Sequence, residues 1–259
     1  MRFALGVEYD GSGYVGWQRQ SEGRTVQASV EQALSSVADE AVHVVCAGRT
    51  DTGVHATGQV VHFDTGADRP EYNWLRGSNA NLPDDIGVQW ITAVSEDFHA
   101  RFSATRRHYR YVIYTQAARP ALLRDQVCWQ SRVLDVARMA QGAQALLGEH
   151  DFTSFRAAAC QAHSPVRTIH TLDVQRRGQF IYIDVIANAF LHHMVRCIAG
   201  VLIKVGCGDR PVGWVDEVLR TRDRKVSGFN APPAGLYLVN VSYPGEFKVP
   251  SAGRLPVFS

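Results

Sequence analysis

Long apolar runs are missing from this chain: in 259 residues there is no stretch of about eighteen apolar residues, so the sequence offers no membrane-spanning helix. An acid arrives at Glu8, too early for the apolar region of a signal peptide, and a soluble cytoplasmic protein is expected. The five cysteines stand at 46, 128, 160, 197 and 207, with no Cys-x-x-Cys pair. An odd, scattered set argues for reduced thiols rather than a disulfide frame. Low-complexity segments are absent, and lysine is scarce, three against twenty-four arginines. Acid is missing altogether between His99 and Arg124, where six arginines fall at 101, 106, 107, 110, 119 and 124. The net charge of +2 says little about partners, but an acid-free run of guanidinium forks is suited to phosphate oxygens and to stacking on bases. A solvated charged face and a GC-rich genome are the plain alternatives.

What is present is 46% hydrophobic content, enough for one large core or two smaller ones. Chemistry concentrates in residues 46–63. Residues 42–47 and 59–63 are short, rich in Val and Phe, and read as buried strands. Residues 48–58 are then the connection, where Gly48, Gly53 and Gly58 permit tight backbone, Arg49 can pair with or steer a carboxylate, and Asp51 stands between two threonines. Asp, Thr and Gly are also ordinary turn residues. Asp-Thr-Gly occurs twice, at Asp51 and at Asp64, as in aspartic proteases, which need two carboxylates sharing a proton. Here the two acids flank a single strand instead of arising from two similar lobes, and the Arg before Asp51 argues against proton sharing.

Periodicity supplies a frame. Residues 3–9 read as a strand, followed by a loop with Gly11, Gly13 and Gly16. Thr25 suits the N-cap of a helix to Ala38, with Val26, Val30, Ala33, Leu34 and Val37 on one face. Strands are expected over 86–94 and 108–114, the second placing Tyr109, Tyr111 and Ile113 opposite Arg110, Val112 and Tyr114. A helix over 135–147 ends at Gly148. Residues 168–174 and 179–186 form a hairpin about Arg177-Gly178. A helix over 191–205 carries a core stripe, with His192, His193 and Arg196 sharing one patch off it. A short helix begins at Pro211, and 236–242 closes as a strand. The expected class is α+β with a mixed, largely antiparallel sheet, in two halves, 1–104 and 105–259, of similar element count but without a sequence repeat.

The segment Ala47-Gly48-Arg49-Thr50-Asp51-x-Gly53-Val54-His55-Ala56-x-Gly58-Gln59-Val60 closely resembles the active-site motif of the TruA-type tRNA pseudouridine synthases, the pseudouridine synthase I family. Further matching stretches follow the family's order: Glu8-Tyr9-Asp10-Gly11 with Gly16-Trp17-Gln18-Arg19-Gln20; residues 98–104 running into Arg107-His108-Tyr109-Arg110-Tyr111; Asp151-Phe152-Thr153-Ser154-Phe155; residues 188–196; and Ala234-Gly235-Leu236-Tyr237-Leu238. The likeness spans essentially the whole chain. One departure is Thr52, where many relatives carry Ala.

The resemblance implies an isomerase that converts uridine to pseudouridine in the anticodon stem-loop of tRNA, at positions 38 to 40, working as a homodimer. It implies two α/β halves flanking an RNA-binding cleft, the first carrying the catalytic loop and the second completing the cleft. Asp51 matches the catalytic aspartate, Arg196 the arginine that pairs with it, and Arg49 the one that holds the extruded nucleotide. Tyr109 matches the aromatic residue stacked on uracil and Leu236 the apolar wall beside it. Arg107 and Arg110, with the 11–20 loop, would contact phosphates, which position RNA without reading sequence. The reaction consumes nothing and calls for no cofactor or metal. His192-His193 superficially suggests metal ligands, but neighbours on a helix diverge by about 100°, and Cys160 with His163 is half a zinc site. A tRNA-binding module that has lost catalysis is the main alternative, against which stand Asp51, Arg49, Tyr109 and Arg196.

Overall fold

The computed structural model describes residues 1–258 other than 159 and 252. In chain order the elements are β1 (Arg2–Tyr9), α1 (Val26–Ala38), β2 (Val45–Cys46), β3 (His55–Asp64), α2 (Glu71–Asn81), β4 (Ile86–Val94), β5 (Arg106–Thr115), β6 (Cys128–Gln130), α3 (Val136–Ala143), β7 (Gly148–Asp151), β8 (Val166–Arg177), β9 (Phe180–Ala187), α4 (Met194–Gly206), α5 (Trp214–Thr221), α6 (Arg224–Ser227) and β10 (Leu236–Ser242). They build two compact units: Met1–Arg106 with Tyr237–Pro256, and Arg107–Leu236 with the chain's end from Val257. The class is α+β with mostly antiparallel pairing, as the periodicities predict.

In the first unit the strands run in the order β4-β1-β3-β10, with β2 also on β3. β1 pairs antiparallel with β3 and β4, and β10 joins β3 in parallel through Tyr237 opposite His55. That parallel pairing draws the late segment 237–256 into the first unit, which a cut of the sequence at 104 does not anticipate. Phe3, Phe63 and Trp74 make the aromatic centre of this core: Trp74 lies 5.7 Å from Phe3 and 5.2 Å from Phe63, ring to ring. Thr25 caps α1 by accepting from the Ala28 N–H, and Val26, Val30, Ala33 and Leu34 are buried.

In the second unit the order is β5-β9-β8-β7, with β6 parallel to β5. α4 is buried on nearly every side: a Cβ at Gly200 would lie 2.4 Å from the Phe229 carbonyl oxygen, and one at Gly206 2.7 Å from the Met139 sulfur. Glycine at these positions lets α4 sit against its neighbours. Tyr111 is fully buried and donates from its hydroxyl to the Pro232 carbonyl at 2.8 Å.

Several boundaries differ from expectation, each for a visible reason. The strand before the Asp51 loop is Val45–Cys46 and not 42–47, because side chains of α1 take the backbone donors ahead of it: Val42 N–H donates to Ser35 Oγ and Val44 N–H to Glu31 Oε1. β3 begins at His55, so the loop contracts to residues 47–54. α4 starts at Met194 rather than at Leu191, because His193 is left-handed, with φ 64° and ψ 4°. His192 and His193 therefore precede the helix and share no helical patch with Arg196. Their rings do not diverge; they lie 4.1 Å apart. α5 begins at Trp214, three residues after Pro211. α2 has no counterpart in the periodicity: it buries only Trp74 and Ser78, too thin a stripe to show. All five cysteines carry reduced thiols. Among the described residues no helix is long and apolar enough to cross a membrane.

Across β5 and β9, Arg110 grips Asp184 with Nε at 3.0 Å and Nη2 at 2.8 Å, while His108 Nε2 lies 2.8 Å from the same carboxylate. Burial alone would raise the Asp184 carboxyl pKa, but the bonds from His108 and Arg110 outweigh it and hold it below the usual range. A carboxyl whose folded pKa is depressed contributes stability above its unfolded pKa of about 3.9, and that contribution drains away as pH falls through the folded value. Asp184→Asn should cost roughly 2 kcal/mol at neutral pH, since the buried Arg110 fork and His108 lose a charged acceptor. Urea titrations between pH 7 and 2 should show the variant with a flatter acid limb than the wild type.

Candidate active site

The residues singled out in the sequence stand on two supports. In the first unit, Asp51 is half-buried and Arg49 exposed on the 47–54 loop between β2 and β3. Its backbone is fastened at both ends. Ala47 N–H donates to the Val60 carbonyl at 2.8 Å, Gln59 Nε2 to the Gly48 carbonyl at 2.6 Å, and Val54 N–H closes a turn on the Asp51 carbonyl at 3.1 Å. Gly53, inside that turn, takes φ 73°, which glycine adopts without penalty. Thr52, the departure from the family pattern, points to the exposed side of the loop.

The loop is also clamped by its neighbour, residues 10–20. Trp17 N–H donates to the Thr50 carbonyl at 3.0 Å, Gly53 N–H to the Tyr14 carbonyl at 3.4 Å, and the Tyr9 hydroxyl meets Thr50 Oγ1 at 2.8 Å. The two backbones touch directly. A Cβ at Gly11 would lie 2.0 Å from the Val54 carbonyl oxygen, and Gly16, at φ 109°, approaches the Thr50 carbonyl. The glycines of the opening motif are thus the condition for this contact, which spacing alone could not reveal.

His55 adds a second tie. Its Nδ1 lies 3.1 Å from both the Gly11 N–H and an Asp10 carboxylate oxygen, and its ring stacks on Tyr237 at 4.7 Å. A protonated Nδ1 donates to Asp10 and an unprotonated one accepts from Gly11, so either tautomer binds the 10–11 turn to the start of β3. The His55 bond is the main cause that holds the Asp10 carboxyl well below the usual carboxylate range. The 10–20 loop is itself tethered. Arg19 pairs at 2.7 Å with Glu31, a carboxylate buried on α1, and Arg24 donates to the Tyr14 hydroxyl, which in turn bonds Asp85. Arg19 and Arg24 thus have acidic or phenolic partners within the protein.

In the second unit, Tyr109 and Arg110 occupy successive positions on β5 and point to opposite faces. Tyr109 is 8% exposed, and Phe190 meets its ring edge-on at 4.9 Å and 80°. Phe190 was within a recognised motif, but nothing in the spacing showed it to be the wall that orients Tyr109. Arg107 donates from Nη1 to the Asn188 carbonyl at 2.8 Å. Arg110, expected at a phosphate, is 7% exposed and directs its fork to Asp184, so its role is to tie β5 to β9. Leu236 opens β10 and is 6% exposed. Arg196 sits in the first turn of α4, with Nε donating to the Ala231 carbonyl at 2.9 Å and its own carbonyl accepting from the Ala231 N–H. Asn230, one residue earlier, donates to His193 Nδ1 and accepts from Arg224 and Cys197. The 230–231 strap thus orients Arg196 and His193, a feature without any periodic signal.

In the first unit two glycines and a tryptophan hold the carboxylate loop, and in the second an arginine and a tyrosine are each fixed by a neighbour. Comparison with known proteins specifies the class. Residues 6–103 and 143–244 match the family model described as tRNA pseudouridine synthase. A protein of Shewanella denitrificans named tRNA pseudouridine synthase A is 55% identical over 100% of this chain and 99% of its own length. One of the same name from Legionella pneumophila is 58% identical over 100% of this chain and 98% of its own. A solved Cbf5-Nop10-Gar1 complex aligns at a TM-score of 0.39 and 11% identity over 91% of this chain and 48% of that one. The chain belongs to the tRNA pseudouridine synthase family.

Gly11→Ala should move the Asp51 loop, because the new methyl meets backbone and not a yielding side chain. A displacement near 1 Å at a reacting group costs on the order of 100-fold in rate. Turnover should therefore fall by about that factor, with circular dichroism and helix content unchanged; a variant as fast as the wild type would mean that the loop does not depend on this contact.

Proposed function

We propose that this member of the family converts uridine to pseudouridine in the anticodon stem-loop of tRNA, at positions 38 to 40, with Asp51 as the catalytic carboxylate acting on an extruded nucleotide. The observation that carries the assignment is the Asp51 loop itself: the family's longest motif folds into a half-buried carboxylate whose backbone is fixed from both sides. Rigid placement of the reacting group is where positional catalysis originates.

The reaction is a balanced rearrangement. The bond from C1′ to N1 breaks, the uracil turns within the pocket, a bond from C1′ to C5 forms, the proton leaves C5 and N1 gains one. Nothing is oxidised or consumed. The protein must supply a carboxylate for the ribose or base, a means of holding the base once it is detached, and cations for the backbone. We assign Arg196 as the cation that answers Asp51 and Arg49 as the residue that keeps the nucleotide extruded. Tyr109 stacks on the uracil, a sequence-tolerant way to retain an unpaired base, and Leu236 lines the apolar wall. Edge-on support from Phe190 favours a stacking role, because it fixes the plane of the Tyr109 ring. Extrusion costs a few kcal/mol, and less in a loop or at a stem end than within a duplex. Arg107, together with the exposed Arg101 and Arg106, contacts phosphates. In this reading the first unit brings the catalytic loop, the second brings Tyr109 and Arg196, two copies act on one tRNA as a homodimer, and the site of action is the cytoplasm.

Incubating unmodified tRNA with wild type and Asp51→Ala, then mapping pseudouridine chemically, tests the assignment. The wild type should modify the anticodon arm and the variant should leave it unchanged while still binding tRNA within about threefold. If neither protein modifies the arm, the enzymatic reading is wrong. Tyr109→Phe keeps the stacking ring and should change tRNA affinity little; total loss of binding would contradict the role given to Tyr109.

A further inference from the structure

The segment between β4 and β5 carries the most exposed aromatic ring among the described residues, Phe102, at 76%. Single exposed apolar side chains are common and need no explanation. This one differs in how it is mounted. The tight turn that holds it is anchored from below: Phe98 and Ala100 are fully buried, Ala100 N–H donates to His62 Nδ1 at 3.1 Å, the Tyr243 hydroxyl donates to the Ala100 carbonyl at 2.7 Å, and Arg2 Nη1 donates to the Phe98 carbonyl at 2.9 Å. The turn closes on itself, Ser103 N–H to the His99 carbonyl at 2.9 Å and His99 N–H to Ser103 Oγ at 3.0 Å.

On that base stands a pile of flat groups. The Phe102 ring stacks on His99 at 4.3 Å and 29°, and His99 leans on His62 at 4.8 Å. The N–H groups of Arg101 and Phe102 both donate to His99 Nδ1, at 3.2 and 3.1 Å, which locks the imidazole under the phenyl ring. Burial is the main cause that lowers the pKa of both imidazoles, with His99 and Arg2 adding to it at His62 and Arg2 and Arg101 at His99. The guanidinium of Arg101 lies 5.5 Å from the Phe102 ring. This turn and the Asp51 loop belong to the same unit. The acids just before the turn, Glu96 and Asp97, act on Arg2.

A flat ring held rigid and largely exposed, with a guanidinium 5.5 Å over it, can take an unpaired nucleobase next to its phosphate. We propose that Phe102 is a stacking platform for an unpaired base of the RNA substrate, separate from the base on which Asp51 acts, with Arg101 on the adjoining phosphate. The idea rests on the RNA-modifying reading of the Asp51 loop and adds a second base contact to it. The ring holds ground state and transition state alike, so it governs binding and not the chemical step.

The test uses the full chain and an unmodified tRNA transcript, with Phe102→Ala, Phe102→Leu and Phe102→Trp. Loss of one base stack corresponds to about 10-fold in affinity. Kd and KM should rise by about that factor in the Ala and Leu variants with kcat unchanged, and the Trp variant should match the wild type. Tryptophan emission of Phe102→Trp, corrected for wild type, should be quenched on adding RNA. Leu binding as well as Phe, or no quenching at position 102, would overturn the proposal. So would a drop to monomers in sedimentation of Phe102→Ala, which would make the ring a subunit contact. Failure of the catalytic reading looks different: the wild type would leave uridine unmodified whatever stands at 102.

Discussion

The contact on which this protein depends is between two stretches of backbone. Residues 10–17 and 50–55 lie so close that a methyl group at Gly11 would overlap a carbonyl oxygen, and hydrogen bonds from Trp17 and to Tyr14 run directly between the two chains. Main chain held by main chain has no rotamers to sample, so the Cα that carries the carboxylate has a fixed position. His55 and the Tyr9 hydroxyl close the same junction from the core side. A side-chain clamp would have to order long flexible groups, at an entropic cost of as much as about 2 kcal/mol each. Glycine transfers that cost to the backbone, where loop closure already meets most of it.

The second unit solves a different problem, that of orienting cations and aromatics at places where a helix or strand alone would leave them loose. Arg196 projects from the first turn of α4, and the Ala231 carbonyl fixes its Nε. Tyr109 would be one more buried strand aromatic without Phe190 set edge-on against it. Arg110, on the other face of the same strand, is committed to Asp184 and serves cohesion between β5 and β9. Two arginines three residues apart, Arg107 and Arg110, thus have different work despite identical chemistry, because strand alternation and one carboxylate on the facing strand separate them.

Arginine abundance in the 99–124 region invited a single explanation as a phosphate track. The structure divides it: Arg110 is interior, Arg107 holds the Asn188 carbonyl, and Arg101 stands over the exposed Phe102 ring. A buried member of such a run, such as Arg110, is withdrawn from any polyanion. A charge count by itself does not sort them, because burial is decided by partners far along the chain.

Much of the architecture was legible because it follows from local periodicity. β4 and β10 match their expected limits, α1 begins where Thr25 caps it, and the hairpin of β8 and β9 turns at Gly178. Misplaced boundaries have particular causes that periodicity does not carry. Glu31 and Ser35 took the donors that 42–44 would have spent on a strand, and a left-handed His193 postponed α4. The sequence by itself determined the class of fold and the family, since these reside in short-range pattern and in a long contiguous motif. Tertiary structure alone decided which glycines clamp the loop, which arginine faces solvent and what orients Arg196 and Tyr109, because each depends on distances between residues tens to more than a hundred positions apart, which side-chain periodicity does not encode.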